Sequence, residues 1–182
     1  MIKLEPFERN DIIQLMEWID SPTLLFQWGG QTFSFPLNEQ QLENYIKESN
    51  TNAVQSLIYR VVHESNNETI GHINLQIDWI NRSARIGKVL IGNKSSRGLG
   101  IGQLIVKKVL TIAFEELKLH RVSLGVLDFN HSAIACYEKA GFVKEGLTRD
   151  KRKMGNEFWS VWEMSILENE WLEKEQSITI QP

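Results

Sequence analysis

The chain has 182 residues, of which 42% are hydrophobic and 24% charged, and its formal charge is −3 at neutral pH. A chain of this size and composition can bury a sizeable apolar core, which excludes an intrinsically disordered protein. The small negative charge gives no global positive field, so we expect neither nucleic acid nor a membrane as partner. The single cysteine, Cys136, excludes an intramolecular disulfide and a cysteine-rich zinc site. We therefore expect a cytoplasmic protein without a metal.

The first fifty residues predict two helices separated by an aromatic segment. Charges between Lys3 and Asp11 interrupt any signal-peptide core, and residues 9–20 then place apolar side chains at helical spacing. Ser21-Pro22 is expected to end this helix. A second helix should begin after Pro36, because Asn38 is a good N-cap.

Alternating hydrophobicity in the middle of the chain predicts an antiparallel meander. The strands are expected over Val54–His63, Thr69–Trp79 and Ala84–Ile91. In the second strand, apolar residues at positions 73, 75 and 77 alternate with polar ones, which are His72, Asn74, Gln76 and Asp78. One face of this strand should therefore be apolar and the other polar.

The second half of the chain predicts alternating helices and strands, closed by a hairpin. The expected elements are a helix from Ile101 to about Leu117, a strand Arg121–Leu127, a helix Ser132–Ala140 ended by Gly141, a hairpin of Phe142–Lys151 and Glu157–Ile166, and a helix from Glu168. Since no linker or repeat interrupts the pattern, we predict one mixed α/β domain over residues 1–182. Its tail, from about residue 168 to 182, should be peripheral.

A glycine-rich loop between a predicted strand and a predicted helix is the first candidate for chemistry. Its residues are Arg97, Gly98, Leu99, Gly100, Ile101 and Gly102. Backbone N–H groups at a helix N-terminus bind phosphate, and an arginine can contact a second phosphate oxygen. A tight structural turn is the alternative interpretation. The P-loop spacing is absent, and the acidic residue that a dinucleotide site needs comes too late, at Asp128.

Three motifs in order identify a family resemblance. They are Arg97-Gly98-x-Gly100-x-Gly102 opening a helix, Asn130-His131-Ser132-Ala133, and Tyr137-Glu138-Lys139-Ala140-Gly141-Phe142. The stretch 86–142 resembles the GNAT superfamily of N-acetyltransferases. Looser matches at Pro36-Leu37, Glu145-Gly146 and Met164–Leu167 resemble the branch with ribosomal-protein N-terminal and spermidine acetyltransferases. The resemblance implies a largely antiparallel sheet of about seven strands, flanked by helices and splayed at the acyl-CoA site.

The resemblance also implies a binding site for acetyl-CoA. Main chain at Leu90 and Ile91 would pair with pantetheine, and the loop amides from Arg97 to Gly102 would hold the pyrophosphate. Asn130, Ser132 and Ala133 would contact the pantetheine arm or the tail of CoA.

Tyr137 occupies the position from which the superfamily's tyrosine points at the CoA sulfur. With a reference pKa near 10 against about 8.5 for a thiol, full proton transfer to the thiolate is uphill by roughly 2 kcal/mol. We therefore expect Tyr137 to act as a hydrogen-bond donor to the leaving group. Its alternative role is that of a packed helix aromatic. The neighbouring Cys136 is interpreted as core filler.

The acceptor site is less defined. Many relatives carry a glutamate on the strand where this chain has Ala84-Arg85-Ile86-Gly87, so no general base is evident. His72, His131 and Asp78 are candidates for that role, although each also suits a structural or solvated one. A base that acts through ordered water, or no dedicated base, is the alternative. Trp28 and Phe33 belong to the segment that roofs the acceptor site in the superfamily.

These features predict an N-acetyltransferase that uses direct attack by an amine. Without a strong base, a peptide or protein N-terminal α-amine is favoured, and a polyamine is the second choice. The alternative from another class is a non-catalytic acyl-CoA-binding regulatory module. Aromatic residues on the C-terminal hairpin, Phe158, Trp159 and Trp162, suggest a homodimer.

Overall fold

The computed structural model describes residues 1–47, 49, 55–96 and 98–179 of the protein. In these residues the strands are β1 Ile2–Pro6, β2 Ser56–His63, β3 Glu68–Asp78, β4 Ser83–Ile91, β5 Arg121–Leu127, β6 Val143–Met154 and β7 Glu157–Leu167. The helices are α1 Ile12–Trp18, α2 Pro22–Gly29, α3 Glu39–Lys47, α4 Ile101–Thr111, α5 His131–Ala140 and α6 Glu168–Thr179. A π-helical segment, Ile112–Glu116, extends α4 to the predicted end of that helix.

The strands form one mixed sheet in the order β1-β2-β3-β4-β5-β7-β6. All neighbours are antiparallel except β4 and β5, which are parallel. This confirms the predicted fold class, including the central meander and the C-terminal hairpin. The sequence analysis missed β1, whose alternation of Ile2 and Leu4 with Lys3 and Glu5 spans only five residues.

Helix α2 was also missed, because Ser21-Pro22 was interpreted only as the end of α1. The Ser21 hydroxyl accepts a hydrogen bond from the Leu24 N–H (3.2 Å), and Pro22 is the first residue of α2. Serine at the N-cap followed by proline starts a helix as readily as it ends one, since proline lacks only an N–H that would be unpaired there. The aromatic segment therefore begins on a helix, which carries Trp28.

Each face of the sheet carries an apolar core. One core joins α4, α5 and α6 to the sheet, and a second joins α1, α2 and α3 to residues that include Ile58 and Leu90. The polar face predicted for β3 is therefore partly wrong. His72 and Asn74 are 0% and 1% exposed, because α1–α3 cover the positions where solvent was expected.

The C-terminal segment is less peripheral than predicted. Trp171 of α6 is 2% exposed, stacks on Phe114 at 6.1 Å and donates its indole N–H to Glu115 (3.2 Å). An indole buried at both its ring and its N–H anchors the helix to the core. That one domain spans residues 1–182 stays a prediction. Among the described helices, none is long and apolar enough to cross a membrane.

The sheet opens between β4 and β5. The two strands pair only where Ser83–Ile86 lie beside Arg121–Leu124. Beyond Ile86, β4 continues to Ile91 and β5 to Leu127 without further pairing between them. The predicted splay is therefore present, and it leaves one backbone edge of β4 available inside the fold.

Candidate active site

A groove of about 600 Å³ runs from the open edge of β4 to the first turns of α4 and α5. It brings together most of the predicted cofactor residues, which are Leu90, Ile91, Gly98, Gly100, Gly102, Asn130, Ser132 and Ala133. Two others do not line it: the Leu99 side chain is 70% exposed, and Ile101 packs into the core. Arg97 lies outside the described residues.

The glycine loop presents an open backbone surface at the start of α4. Gly100 is the N-cap with φ 76°, and Gly98 has φ 78°. A Cβ at either position would meet no atom within 4 Å, so the space above both glycines is free. The first N–H groups of a helix have no partner within it and carry partial positive charge. The loop therefore fits the pyrophosphate of CoA in both shape and polarity.

Gly102 has a different reason to be glycine. A Cβ there would lie 3.3 Å from the Cys136 sulfur, so the residue allows α4 and α5 to approach closely. Helix α5 is fixed at its start by Asn130, whose side-chain oxygen accepts hydrogen bonds from the Ala133 N–H and the Ser132 hydroxyl, both 3.2 Å. It ends at Gly141 with φ 108°. These local contacts determine where the next turn of α5 points.

Tyr137 lies on that turn, at the point where two cavities meet. Its ring is 8% exposed and packs edge-on against Phe142 at 5.9 Å. Within the described chain its hydroxyl makes no hydrogen bond. Burial, and then the neighbouring Cys136, raise the pKa of Tyr137 far above its ordinary value. The hydroxyl therefore stays protonated at physiological pH and can donate.

A second, inner cavity of about 270 Å³ adjoins the groove. The residues that line both are Gln27, Trp28, Val89, Asn130, Ala133 and Tyr137. The inner cavity is also lined by side chains from the sheet and the hairpin, including Asn74, Gln76, Arg85, Lys88, Arg152 and Val161. A group in the groove and a group in the inner cavity can therefore meet at Tyr137.

A β-bulge shapes the boundary between the two cavities. Lys88 and Val89 together lie opposite Ile73, and Lys88 has φ 51°. The Lys88 carbonyl accepts hydrogen bonds from the Trp28 indole N–H (2.8 Å) and from His72 Nδ1–H (2.9 Å). Because the C=O and N–H of one peptide unit point in opposite directions, the Val89 N–H points away from these two rings.

His72 lies behind the bulge and lines neither cavity. Its ring contacts Phe7, Trp28 and Tyr45 at centroid distances of 5.0, 5.3 and 5.9 Å, and its Nε2 has no hydrogen-bond partner in the described chain. Burial lowers the pKa of His72 to about 4. The structure therefore favours a positioning role, in which His72 orients the Lys88 carbonyl, over the predicted contact with the acceptor.

The other residues predicted for the acceptor site differ in whether they line a cavity. Trp28 lines both cavities, and Phe33 stacks behind it at 5.2 Å without lining either. Asp78 lies at the β3–β4 turn, where its carboxylate accepts hydrogen bonds from the Asn81 backbone and side chain (3.0 and 2.8 Å). These bonds lower the pKa of Asp78. The observed contacts of Asp78 therefore fit the structural role, in which it stabilises the β3–β4 turn.

Burial of His72 predicts a pH-dependent stability. The folded pKa near 4 lies below the unfolded value near 6.5, so the unfolded chain binds one more proton between these values. We expect this histidine to reduce the free energy of unfolding by about 2 to 3 kcal/mol as the pH falls from 7.5 to 4.5. Urea unfolding of wild type and His72→Gln at both pH values measures it. His63→Gln, a partly exposed histidine on β2, is the control. Equal pH dependence in wild type and His72→Gln would contradict the prediction.

Sequence reasoning missed three basic residues of the inner cavity. Arg85 was noted only as a departure from the usual glutamate, and Lys88 and Arg152 were not singled out. Neither Lys88 nor Arg152 belongs to a local motif. The cationic run 151–153 on β6 is the one signal present, and only the folded hairpin separates Arg152 from its exposed neighbours.

Known proteins resemble this chain over most of its length. The acetyltransferase (GNAT) domain model matches residues 2–143. Spermidine N(1)-acetyltransferase of Vibrio cholerae is 26% identical over 96% of this chain and 98% of that protein. The putative ribosomal N-acetyltransferase YdaF of Bacillus subtilis is 35% identical over 56% and 55% of the two chains. A crystal structure of the Vibrio cholerae spermidine N-acetyltransferase, with CoA and spermine, has a TM-score of 0.82 at 23% identity over 94% of this chain and 98% of that one. The protein therefore belongs to the acetyltransferase (GNAT) domain family.

Proposed function

We propose that this acetyltransferase holds acetyl-CoA in the groove and passes its acetyl group directly to an α-amine in the inner cavity. One observation carries the proposal: the free Tyr137 hydroxyl lies where the two cavities join. A non-catalytic acyl-CoA-binding module would have no use for a buried donor at this junction. Its presence therefore supports catalysis.

The residues of the groove suit the separate parts of CoA. The backbone at Gly98 and Gly100 would hold the pyrophosphate, and the open edge of β4 near Leu90 would pair with the pantetheine amides. Bound acetyl-CoA supplies an activated acyl group as a thioester. The chain's own contribution is to bind this arm in an extended form, with its reactive end directed toward Tyr137.

Two donors are positioned to stabilise negative charge during transfer. Tyr137 keeps its proton at neutral pH and donates toward the leaving sulfur. The Val89 N–H is held by the double hydrogen bond to the preceding carbonyl and would donate toward the acyl oxygen. Fixed donors of this kind need no rearrangement as charge develops, which is the source of their effect on rate.

The residues that line the two cavities restrict which amines can react. Among the described residues, no Asp, Glu or His side chain lines either cavity. A lysine-like amine with pKa about 10.4 is neutral in roughly one molecule in two thousand at pH 7, whereas an α-amine with pKa about 7.8 is neutral in roughly one in seven. An enzyme without a base therefore works more readily on the α-amine.

This difference predicts a pH-dependent preference. We expect kcat/KM for a Ser- or Ala-initiated peptide to exceed that for a lysine in an N-terminally blocked peptide at pH 7. From pH 7 to 9 the neutral fraction rises about 100-fold for lysine but only about sevenfold for the α-amine, so the gap should narrow by roughly tenfold. CoA release measures both rates, with the blocked peptide lacking lysine as the blank. A lysine preference that is independent of pH would show that a base exists.

The exposed surface of the hairpin supports the predicted homodimer. Strand β6 is the sheet edge, and nearly all its residues are exposed. Phe158 at the start of β7 is 56% exposed, whereas Trp159 and Trp162 are partly buried. Exposed aromatic surface beside a free strand edge is typical of a protein interface.

A further inference from the structure

The inner cavity is basic. Arg85, Lys88 and Arg152 line it, and no acidic side chain among the described residues does. Polyamines carry several positive charges, and recognising them requires anionic groups that this lining lacks. The chemistry of the cavity therefore differs from what the name of the Vibrio cholerae spermidine N(1)-acetyltransferase suggests for that protein.

Arg152 is a cation of this cavity without an ion-pair partner among the described residues. The pairing of β6 with β7 shifts register between Thr148 and Arg152, where Asp150 has φ 50°. This bulge turns Arg152 toward the cavity. Its guanidinium lies against Gly30 at the end of α2, 3.4 Å from where a Cβ would be. It makes no hydrogen bond or ion pair within the described part of the chain. Burial, and then the charge of Arg85, lower the pKa of Arg152, and the charge of Glu163 offsets this only in part. A bound anion would stabilise a buried guanidinium of this kind.

The neighbouring charges do not supply that anion. Glu163 pairs with Arg85 at 2.9 Å and also with Lys151, so its carboxylate is already shared by two cations. The Lys88 ammonium lies over the rings of Tyr45 and Phe33, 5.3 and 5.8 Å from their centroids. Burial and then Arg152 lower the pKa of Lys88. Positive charge at the hairpin side of the cavity is therefore in excess.

Strand β3 offers a hydrogen-bond acceptor for the amine of a substrate. Asn74 of β3 is 1% exposed and lines the inner cavity, and its side-chain oxygen has no hydrogen-bond partner in the described chain. A buried hydrogen-bond acceptor without a donor is unfavourable unless a ligand supplies that donor. The N–H of a substrate amine would do so.

We infer that the acceptor is a small amine that carries a carboxylate, with the carboxylate bound by Arg152 and the amine placed between Asn74 and Tyr137. Arginine binds a carboxylate through two parallel N–H bonds, which would also fix the orientation of the amine. The carboxylate has two possible sources, the α-carboxylate of a free amino acid or an acidic side chain at a peptide N-terminus. The inference rests on the proposed function, because it assigns the acceptor to the inner cavity.

Pairs of compounds in which an amide replaces the carboxylate test it. The pairs are L-methionine with L-methioninamide, and Asp-Phe-NH₂ with Asn-Phe-NH₂, and spermidine is the polycation. Calorimetry in the presence of CoA gives the dissociation constants, and CoA release from acetyl-CoA gives kcat/KM. We expect the carboxylate member of one pair to bind at least about tenfold more tightly than its amide, and spermidine to bind more weakly than that member. The pair that discriminates identifies the source.

Three variants on β6 assign the effect to Arg152. Arg152→Met should remove the carboxylate preference, and Arg152→Lys should restore part of it. Lys153→Met is the matched control, because Lys153 is exposed, lies over the Phe158 ring and lines neither cavity. It should keep the preference. An equal loss of the carboxylate preference in Arg152→Met and Lys153→Met would show that the effect comes from the general charge of the surface. That result would overturn the assignment to Arg152.

The wild-type measurements decide the inference without any variant. Equal binding of both members of each pair, or tighter binding of spermidine, overturns it and leaves acetyl transfer intact. A carboxylate preference in binding without any acetyl transfer supports the charge assignment and contradicts the proposed function.

Discussion

Replacing Gly100 with glutamate is expected to abolish CoA binding, lowering the affinity by at least about 100-fold. Gly100 has φ 76°, and the space its Cβ would enter is empty and belongs to the groove. A side chain there would occupy the place of the pyrophosphate, and a carboxylate would add repulsion between like charges. The left-handed backbone adds a strain of about 1 kcal/mol. Calorimetry with CoA measures the affinity.

Gly155→Glu is the control for Gly100→Glu, because it separates the effect of filling the pyrophosphate site from the effect of backbone strain. Gly155 has φ 59° in the β6–β7 turn, meets nothing within 4 Å at its Cβ position and lines neither cavity. This variant carries the same strain and charge, so it should lower the melting temperature similarly while CoA affinity stays within about twofold. Unchanged affinity in Gly100→Glu would remove the loop from the cofactor site.

Tyr137→Phe is expected to lower kcat by about 100-fold or more, while the dissociation constant for CoA changes only a few-fold. The substitution removes one hydroxyl and keeps the ring contact with Phe142. Because the pKa of Tyr137 is raised, the hydroxyl remains a donor over the usable pH range, and the loss of kcat should be the same from pH 6 to 9. Steady-state turnover and CoA calorimetry give the two quantities.

Tyr59→Phe is the control for tyrosine hydroxyls in general. Tyr59 is half-buried on β2, its pKa is also raised, first by burial and then by Glu116, and it lines neither cavity. Its loss should leave kcat unchanged. If Tyr137→Phe turned over as fast as wild type on its preferred acceptor, Tyr137 would be a packing residue only. A loss that grew with pH would instead indicate that the ionised phenol takes part.

Local sequence determined the elements whose signals lie within a few residues. Asn38 caps the helix predicted for it, and Asn130 caps α5 in the same way, because an Asn side chain reaches the N–H three residues ahead whatever surrounds it. Gly141 ends α5 with a positive φ for an equally local reason. The glycine loop and the spacing of its neighbouring motifs belong to the same class, and the family resemblance they carry implied most of the residues that line the groove. That these residues bind CoA stays a prediction.

Local signals also misled where one helix follows another closely. Ser21-Pro22 was expected to end α1, but α1 already ends at Trp18, and Ser21-Pro22 instead begins α2. His72 and Asn74 alternated with apolar residues as a solvent-facing row would, and only the packing of α1–α3 buries them. Periodicity reports that two faces differ, but it does not report what covers each face.

By itself, then, the sequence determined the family, the glycine loop before α4 and the place of Tyr137 in α5, since these depend on short motifs that fold in place. The charge of the inner cavity was decided by the tertiary structure. Arg85 comes from β4 and Arg152 from a bulge in β6, strands that are neighbours neither in sequence nor in the sheet. They meet because the splay of β4 from β5 opens a cavity that the hairpin borders. An electrostatic field is the sum over groups brought together by the fold, so no local pattern specifies it.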